Sequence, residues 1–485
     1  MDYQSTRSSA FKADSVTAVL EGIAPDGGLY ITDPSKIAFD WRSALRCSSR
    51  DMSAMILHAL LPDFPDMKAI VERAYLNKFE TEDLTPTVKV GDRYVLELFR
   101  GPTSAFKDVA LSVLPQLVTA GRTMHGAEDD VVILTATSGD TGKAALEGFH
   151  DVDGTRIVVF YPYKGVSRVQ ELQMSTQKGA NVKVCAVRGN FDDAQTGVKN
   201  VFSACREKDL GGKSLSSANS INIGRLAPQV MYYFRAYADL VNKGRINVGD
   251  TVHYVVPTGN FGDILAGWFA KLLGLPVGKL VCASNQNNVL TDFINTGVYD
   301  KRREFYKTNS PSLDILVSSN LERLLYLLCK DASYVAELMK KLSTEGIYEI
   351  SAGILEKLQS GFVAGCCNDE NSIDTIGRVF REYGYLMDPH TAVAWNVCDS
   401  FIESFGSEPV VVLSTASPYK FPAACLRALG EDPGDDEFAV MRCLNEISGV
   451  PVPANLACLE SAKVLHTDVI NKEDMLAYVL SYISE

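Results

Sequence analysis

From about residue 95 onward the chain alternates β-rich runs with amphipathic stretches of helical period, and this restricts its folding more than any other feature. The runs are YVLELF (94–99), VVILTAT (131–137), RIVVFYP (156–162), NVKVCAV (181–187), TVHYVVPT (251–258), LVCAS (280–284) and PVVVLSTAS (409–417). Such alternation argues for parallel sheets joined by crossover helices. Several runs end in a polar loop rich in glycine or serine, after which a helix is predicted. In open α/β sheets that end of a strand, beside a helix N-terminus, is where ligands bind. The stretch before residue 95 differs: it mixes short helical patterns with turn signals, and GIAPDGGLY (22–30) crowds Pro25, Asp26, Gly27 and Gly28 into one tight loop. It reads as an N-terminal, mostly helical cap. The 485 residues are enough for two or three cores and a sizeable buried site.

Several functional classes drop out. The formal net charge is −13, from 47 basic and 60 acidic residues, with no block of lysine and arginine, so no nucleic-acid partner is expected. The eleven cysteines are odd in number and contain no C-x-x-C pair. Neither a disulfide framework nor a thiolate zinc site is suggested. His58, His125, His150, His253, His390 and His466 form no i, i+4 pair and no H-E-x-x-H, so no metal is expected, and His390 reads as a structural turn residue. No apolar run approaches the roughly 18–20 residues of a membrane span. The opening MDYQSTRSSAFKADS lacks the apolar core of a signal peptide, which makes the cytoplasm the expected compartment.

Four loops carry candidate chemistry. In GPTSAFKD (101–108), Lys107 sits where strand meets helix beside Phe106; desolvation there would lower its pKa and suit it to Schiff-base formation. A lysine that snorkels at the surface is the plain alternative. TATSGDTGKAALEGF (135–149) passes from strand to helix through Ser138, Gly139, Asp140, Thr141 and Gly142, whose backbone N–H groups could form an anion nest. It is no Walker A loop, and a generic helix cap would explain it equally. VVPTGNFGDILAGWFAK (255–271) carries Gly259, Asn260, Phe261, Gly262 and Asp263; its glycines allow close backbone approach and the helix dipole favours a phosphate. VVVLSTASPYKFP (410–422) ends a strand with Ser414, Thr415 and Ser417, hydroxyls that could face a heterocyclic nitrogen or merely cap a turn. Two further stretches set a cation beside hydroxyl and amide donors: Lys164 with Ser167, and Arg225 with Asn219, Ser220 and Asn222. That is the chemistry of binding phosphate or carboxylate, although solvated helix faces would also explain Lys164 and Arg168.

Taken in order, YQSTRS, APDGGLY, LELFRGPTSAFKD, SGDTG, VQELQM, NSINIGR, VPTGNFGD and STASPYKFP make a chain that resembles the threonine synthase family of pyridoxal phosphate (PLP) enzymes, of fold type II. The resemblance covers most of the chain. It implies an α/β architecture: a cap (1–95), a smaller α/β domain with the substrate loops (96–225) and a larger one with the PLP phosphate loop (226–485). It also implies that Lys107 binds PLP as a Schiff base and shuttles protons at Cα and Cβ. Gly259, Asn260, Phe261, Gly262 and Asp263 would cradle the PLP phosphate, and Thr415 would bond the pyridine nitrogen. Ser138, Gly139, Asp140 and Thr141 would bracket the substrate carboxylate and the cofactor's 3′-oxygen. Lys164, Asn219, Ser220 and Arg225 would bind the leaving phosphate.

The implied reaction turns O-phosphohomoserine and water into threonine and phosphate, in a monomer or homodimer. The chain opens almost at the family's first motif, so no added N-terminal regulatory domain is expected. Two positions depart from the pattern: Arg100, commonly histidine, and Ser104, usually bulkier. Both adjoin Lys107, which keeps open the sibling phospho-lyase activity that yields 2-ketobutyrate, phosphate and ammonia. A serine hydrolase is a rival, because Ser104-Ala-Phe-Lys107 fits S-x-x-K, but it lacks S-D-N and K-T-G partners. A binding protein with a degenerate site is another, opposed by the complete set of Lys107, Thr415 and both glycine loops.

Overall fold

A computed structural model describes residues 2–126, 130–137, 139–205, 210, 212–406 and 408–484. The alternating pattern builds two sheets. The larger has six strands, in the order Phe362–Cys366, Val277–Ser284, Val252–Pro257, Val410–Ser414, Arg93–Glu97 and Thr87–Val90. All neighbours are parallel except the last pair, an antiparallel hairpin. The smaller has five parallel strands: Asp468–Asn471, Val182–Arg188, Thr155–Pro162, Val131–Ala136 and Ser214–Ser216. Val252–Pro257 and Val410–Ser414 are buried at every residue, as strands covered by helices on both faces must be. This is the expected fold class.

The cap contains helices Ser15–Glu21, Trp41–Ala44, Ser49–Leu60 and Met67–Tyr75. Side-chain caps from Asp14, Ser48 and Asp66 satisfy first-turn N–H groups, and Gly22 ends the first helix in the left-handed region. It also holds a three-stranded antiparallel sheet, Lys12–Ala13, Tyr3–Ser5 and Tyr30–Ile31, into which the GIAPDGGLY turn leads.

Sheet membership departs from the expected division at both ends. Arg93–Glu97, at the boundary drawn at 95, pairs with Val410–Ser414, so the loop bearing Lys107 grows from the larger sheet rather than from a smaller domain 96–225. Asp468–Asn471, inside the span 226–485, pairs with Val182–Arg188 of the smaller sheet. Helix Met475–Ser484 packs on that sheet too, joining Met475, Val479 and Ile483 to a core of Val132, Leu134 and Val158. The segment DVIN is a largely exposed edge strand, so it carries no apolar pattern to betray its partner.

Helices Lys107–Met124 and Asp140–Phe149 follow strands of different sheets and meet at Gly148. A Cβ added there would lie 1.9 Å from the Leu111 carbonyl oxygen, so only glycine permits this approach. Gly148→Ala should therefore lower the thermal unfolding midpoint, at a cost of about 1–3 kcal/mol for the inserted methyl. Gly353→Ala, in a helix where an added Cβ meets nothing within 4 Å, is the control and should be neutral or slightly stabilising in the same scan.

Candidate active site

Strands Arg93–Glu97, Val410–Ser414 and Val252–Pro257 are neighbours, so the segments leaving their C-terminal ends lie side by side. Backbone bonds lace two of them together. Leu98 N–H donates to the Ser414 carbonyl (2.9 Å), Phe106 N–H to Thr415 (2.9 Å) and Ser417 N–H to Ser104 (3.0 Å). Ser104 turns the chain with φ +59°, a left-handed conformation uncommon outside glycine. Its hydroxyl, buried, accepts from the Asn455 amide at 2.9 Å. That engagement leaves the S-x-x-K reading without a nucleophile, since Lys107 makes no bond to it.

Lys107 opens its helix as the first residue and stays half-buried at the head of the loop. Among the described residues no hydrogen bond or ion pair ties its Nζ, which lies 4.5 Å from the Phe106 ring centroid. Desolvation drives its ammonium pKa down to about 8 against the pull of Asp140, and the Arg225 and Lys420 cations push the same way as desolvation. Asp140 begins the helix Asp140–Phe149. Burial alone would raise its carboxyl, but Lys420 and Lys107 outweigh burial and hold it well below the usual carboxylate range. Arg225 is buried, gives one N–H to the Ala218 carbonyl (2.8 Å) and keeps Nε without a partner. No carboxylate lies within ion-pair distance of it among the described residues, and desolvation lowers its pKa to about 10.

The loop after Val252–Pro257 forms a cradle. Gly259 cannot carry a side chain, because a Cβ would sit 2.5 Å from the Ser312 carbonyl oxygen. Phe261 takes φ +64°. Ser318 Oγ donates to the Gly259 carbonyl (2.8 Å) and Asn320 Nδ2 to Asn260 (3.1 Å), which leaves the carbonyls tied back. The N–H groups of Gly259, Asn260 and Phe261 find no acceptor among the described residues. Asp263, in the first turn of the following helix, is buried with Oδ2 unpartnered; burial raises its carboxyl to about 7, against the Tyr233 hydroxyl and Lys107. Free backbone donors at a helix N-terminus suit an anion such as phosphate.

The expected residues divide into two groups. Lys107, Asp140, Arg225, Asp263 and Thr415 converge, and Ser220 joins the cradle, its hydroxyl 3.2 Å from that of Ser319 and its carbonyl accepting from Asn320. Thr141 follows Asp140 in the first helical turn. Ser138 lies outside the described residues. The remaining expected residues are engaged elsewhere or exposed. Gly139 N–H, taken as part of an anion nest, donates to Thr137 Oγ1 at 3.0 Å, as does Gly142 at 2.9 Å; Gly139 instead supplies φ +146° where a side chain would collide with Gln170. Ser167 caps a helix through a capping box with Gln170 rather than standing ready for a ligand. Asn222 caps a short helix and binds the Val19 carbonyl. Lys164 is exposed, with Nζ 5.4 Å from the Tyr163 ring centroid, and Asn219 is exposed as well. His390 is buried with Nδ1 2.7 Å from Asp388, while Nε2 accepts from the Ser312 N–H (3.1 Å): it steadies the segment packed against Gly259.

Sequence reasoning missed Lys420. It is fully buried and pairs with Asp140 at 2.7 Å. The only local signal was its place in STASPYKFP; its partner lies 280 residues away. It also passed over buried Gln229, whose Nε2 donates to the Arg225 carbonyl at 2.7 Å and whose Oε1 has no partner among the described residues.

Known proteins resemble this chain along its length. A family model described as threonine synthase N terminus matches residues 2–75, and one described as threonine synthase, C-terminal, matches 391–477. Threonine synthase-like 1 of Homo sapiens is 38% identical over 469 residues, covering 92% of this chain. The chain spans 62% of that relative's length. Threonine synthase of Saccharomyces cerevisiae is 35% identical, over 88% of this chain and 89% of its own. Among solved structures, the PLP-bound threonine synthase from Brucella melitensis superposes with a TM-score of 0.87 at 38% identity, covering 100% of this chain and 98% of that one. The yeast enzyme gives a TM-score of 0.89 at 31% identity, covering 100% and 99%.

The desolvated lysine can be titrated by its reactivity. With a small aromatic aldehyde and cyanoborohydride, the ligand-free protein should be modified at Lys107 with a midpoint near pH 8, far below the 10.5 of an ordinary lysine. Peptide mapping across pH measures it; a midpoint near 10.5 would show a fully solvated side chain.

Proposed function

The chain belongs to the threonine synthase family, and from that premise we propose that it converts O-phosphohomoserine and water into threonine and phosphate, with PLP held covalently on Lys107. The observation that carries this reading is Lys107 itself: a desolvated, untied amine where the lysine loop, the Thr415 loop and the phosphate-type cradle meet.

The residues present fit the cofactor. The N–H groups of Gly259, Asn260 and Phe261, unpaired among the described residues and in a cradle closed by the Gly259 contact, would hold its phosphate, with Gly262 and Asp263 at the helix start. Thr415 would offer its hydroxyl to the pyridine nitrogen, and Asp140 and Thr141 would face the 3′-oxygen side. Bound there, PLP supplies an electron sink that makes the Cα and Cβ protons of an amino acid removable.

The chain's own residues do the remainder. With its pKa near 8, Lys107 is partly the free amine near neutral pH, able to take the Cα proton and return it. Arg225 meets the substrate phosphate with a guanidinium that no carboxylate among the described residues neutralises, so the charge of the departing phosphate is balanced without an added acid. Ser220 and Asn219 would add neutral donors, Ser138 and Thr141 would flank the substrate carboxylate, and Lys164 would add an exposed cation. Among the described residues no helix is long and apolar enough to cross a membrane, and we place the enzyme in the cytoplasm as a monomer or homodimer.

Three measurements test this. Purified protein loaded with PLP should be yellow, and borohydride should fix the cofactor on Lys107; Lys107→Ala should abolish the attachment, and a label on another lysine would overturn the assignment. Incubation with O-phosphohomoserine should yield threonine, whereas 2-ketobutyrate with ammonia would identify the phospho-lyase. Arg225→Ala should lower kcat/KM by about 10²- to 10³-fold with both KM and kcat affected, leave PLP content normal, and be only partly rescued by Arg225→Lys. Wild-type kinetics in the alanine variant would remove Arg225 from the site.

A further inference from the structure

Lys420 has no solvent exposure at its side chain, and it stands in the turn Pro418–Lys420 that leaves the larger sheet. Its Nζ reaches Asp140 Oδ1 at 2.7 Å and donates to the Thr103 carbonyl at 3.2 Å. Three segments therefore meet on one ammonium: the first turn of a smaller-sheet helix, the loop bearing Lys107, and the loop after Val410–Ser414. Thr103 carries the connection on, since its N–H and hydroxyl both bind Asp108, the residue after Lys107. Gln170 Nε2 also approaches Asp140 Oδ1 (3.4 Å), so the bonds this carboxylate makes among the described residues fall on one oxygen. A buried ion pair is a poor device for stability alone, because desolvating both charges offsets most of their attraction. Its value lies in fixing geometry.

We propose that Lys420 is a positioning residue of this site: it pins Asp140 to the loop that carries Lys107 and leaves Asp140 Oδ2 as the oxygen facing the cleft. The proposal rests on Lys107 being the reactive lysine and not on the identity of the substrate. The charged groups around Lys107 are Asp140, Arg225, Lys420, Asp108 and Asp263; His390, with Asp388, is the further titratable group beside Asp140.

The test uses the 485-residue chain, ligand-free, with the non-cofactor aldehyde, so that it can fail or succeed independently of threonine synthesis. In Lys420→Met the pH midpoint for trapping Lys107 should rise by roughly 1 unit, because a neighbouring cation is lost while Asp140 turns to Lys107. In Asp140→Asn it should fall by a similar amount, because the anion is lost and the Lys420 cation is uncompensated. Lys420→Arg should restore a near-wild-type midpoint. A merely structural pair would lower the unfolding temperature in each variant and leave the trapping midpoint where it was. An unmoved midpoint in Asp140→Asn, or one that fails to rise in folded Lys420→Met, overturns the proposal; if Lys420→Met does not fold, Asp140→Asn decides.

Discussion

The site depends on a short lacing of backbone hydrogen bonds between two loops more than 300 residues apart in sequence. Leu98 to Ser414 continues the parallel strand pairing beyond the sheet, and Phe106 to Thr415 with Ser417 to Ser104 forms an antiparallel bridge at Ala105 and Ala416. Phe106 precedes the first turn of the Lys107 helix, so its bond to Thr415 sets where that helix begins and where the lysine emerges. These contacts use main-chain atoms, which any sequence can supply. What the sequence must supply is the turn between them, and Ser104 meets that demand in a left-handed conformation steadied by Asn455.

Within that frame the charges are arranged as alternating signs in a dry environment. Among the described residues Arg225 pairs with no carboxylate, Lys420 pairs with one, and Lys107 lies near both cations and near Asp140. Unpaired cations in a desolvated pocket are expensive in folding terms, and they persist where a ligand completes them. Asp263 tells the same story with opposite sign: burial raises its carboxyl to about 7, so near neutral pH it need not oppose an anion bound at its own helix N-terminus.

The sequence made the architecture and the loops legible because both depend on local composition. Buried parallel strands announce themselves as Val- and Ile-rich runs, and Gly259 or Thr415 is visible as glycine or hydroxyl where a strand ends. Features that rest on pairing at a distance were hidden. Lys420 looks like any lysine until Asp140 is beside it, and Gly139 N–H looks free until Thr137 Oγ1 is seen accepting it. The edge strand Asp468–Asn471 is mostly exposed and therefore carries no pattern, so its sheet could not be assigned. Lys164 and Arg225 read alike as cations beside donors, yet one is exposed and the other buried, a difference that only packing decides.

The departures from the family pattern at Arg100 and Ser104 can now be weighed physically. Arg100 gives Nε and a terminal nitrogen to Glu97 (2.9 and 2.6 Å) and its other terminal nitrogen to Glu80 of the cap (3.1 Å). Glu97 ends the strand next to Ser414, and its second oxygen accepts from the Tyr385 hydroxyl at 3.1 Å. The added cation is thus met by two carboxylates, Glu97 and Glu80. Ser104 is engaged by the Asn455 amide. Both departures therefore sit in the support of the loops, one neutralised by its own strand and the cap, the other absorbed by a side-chain bond. Among the described residues neither side chain hydrogen-bonds Lys107, Asp140, Arg225 or Lys420.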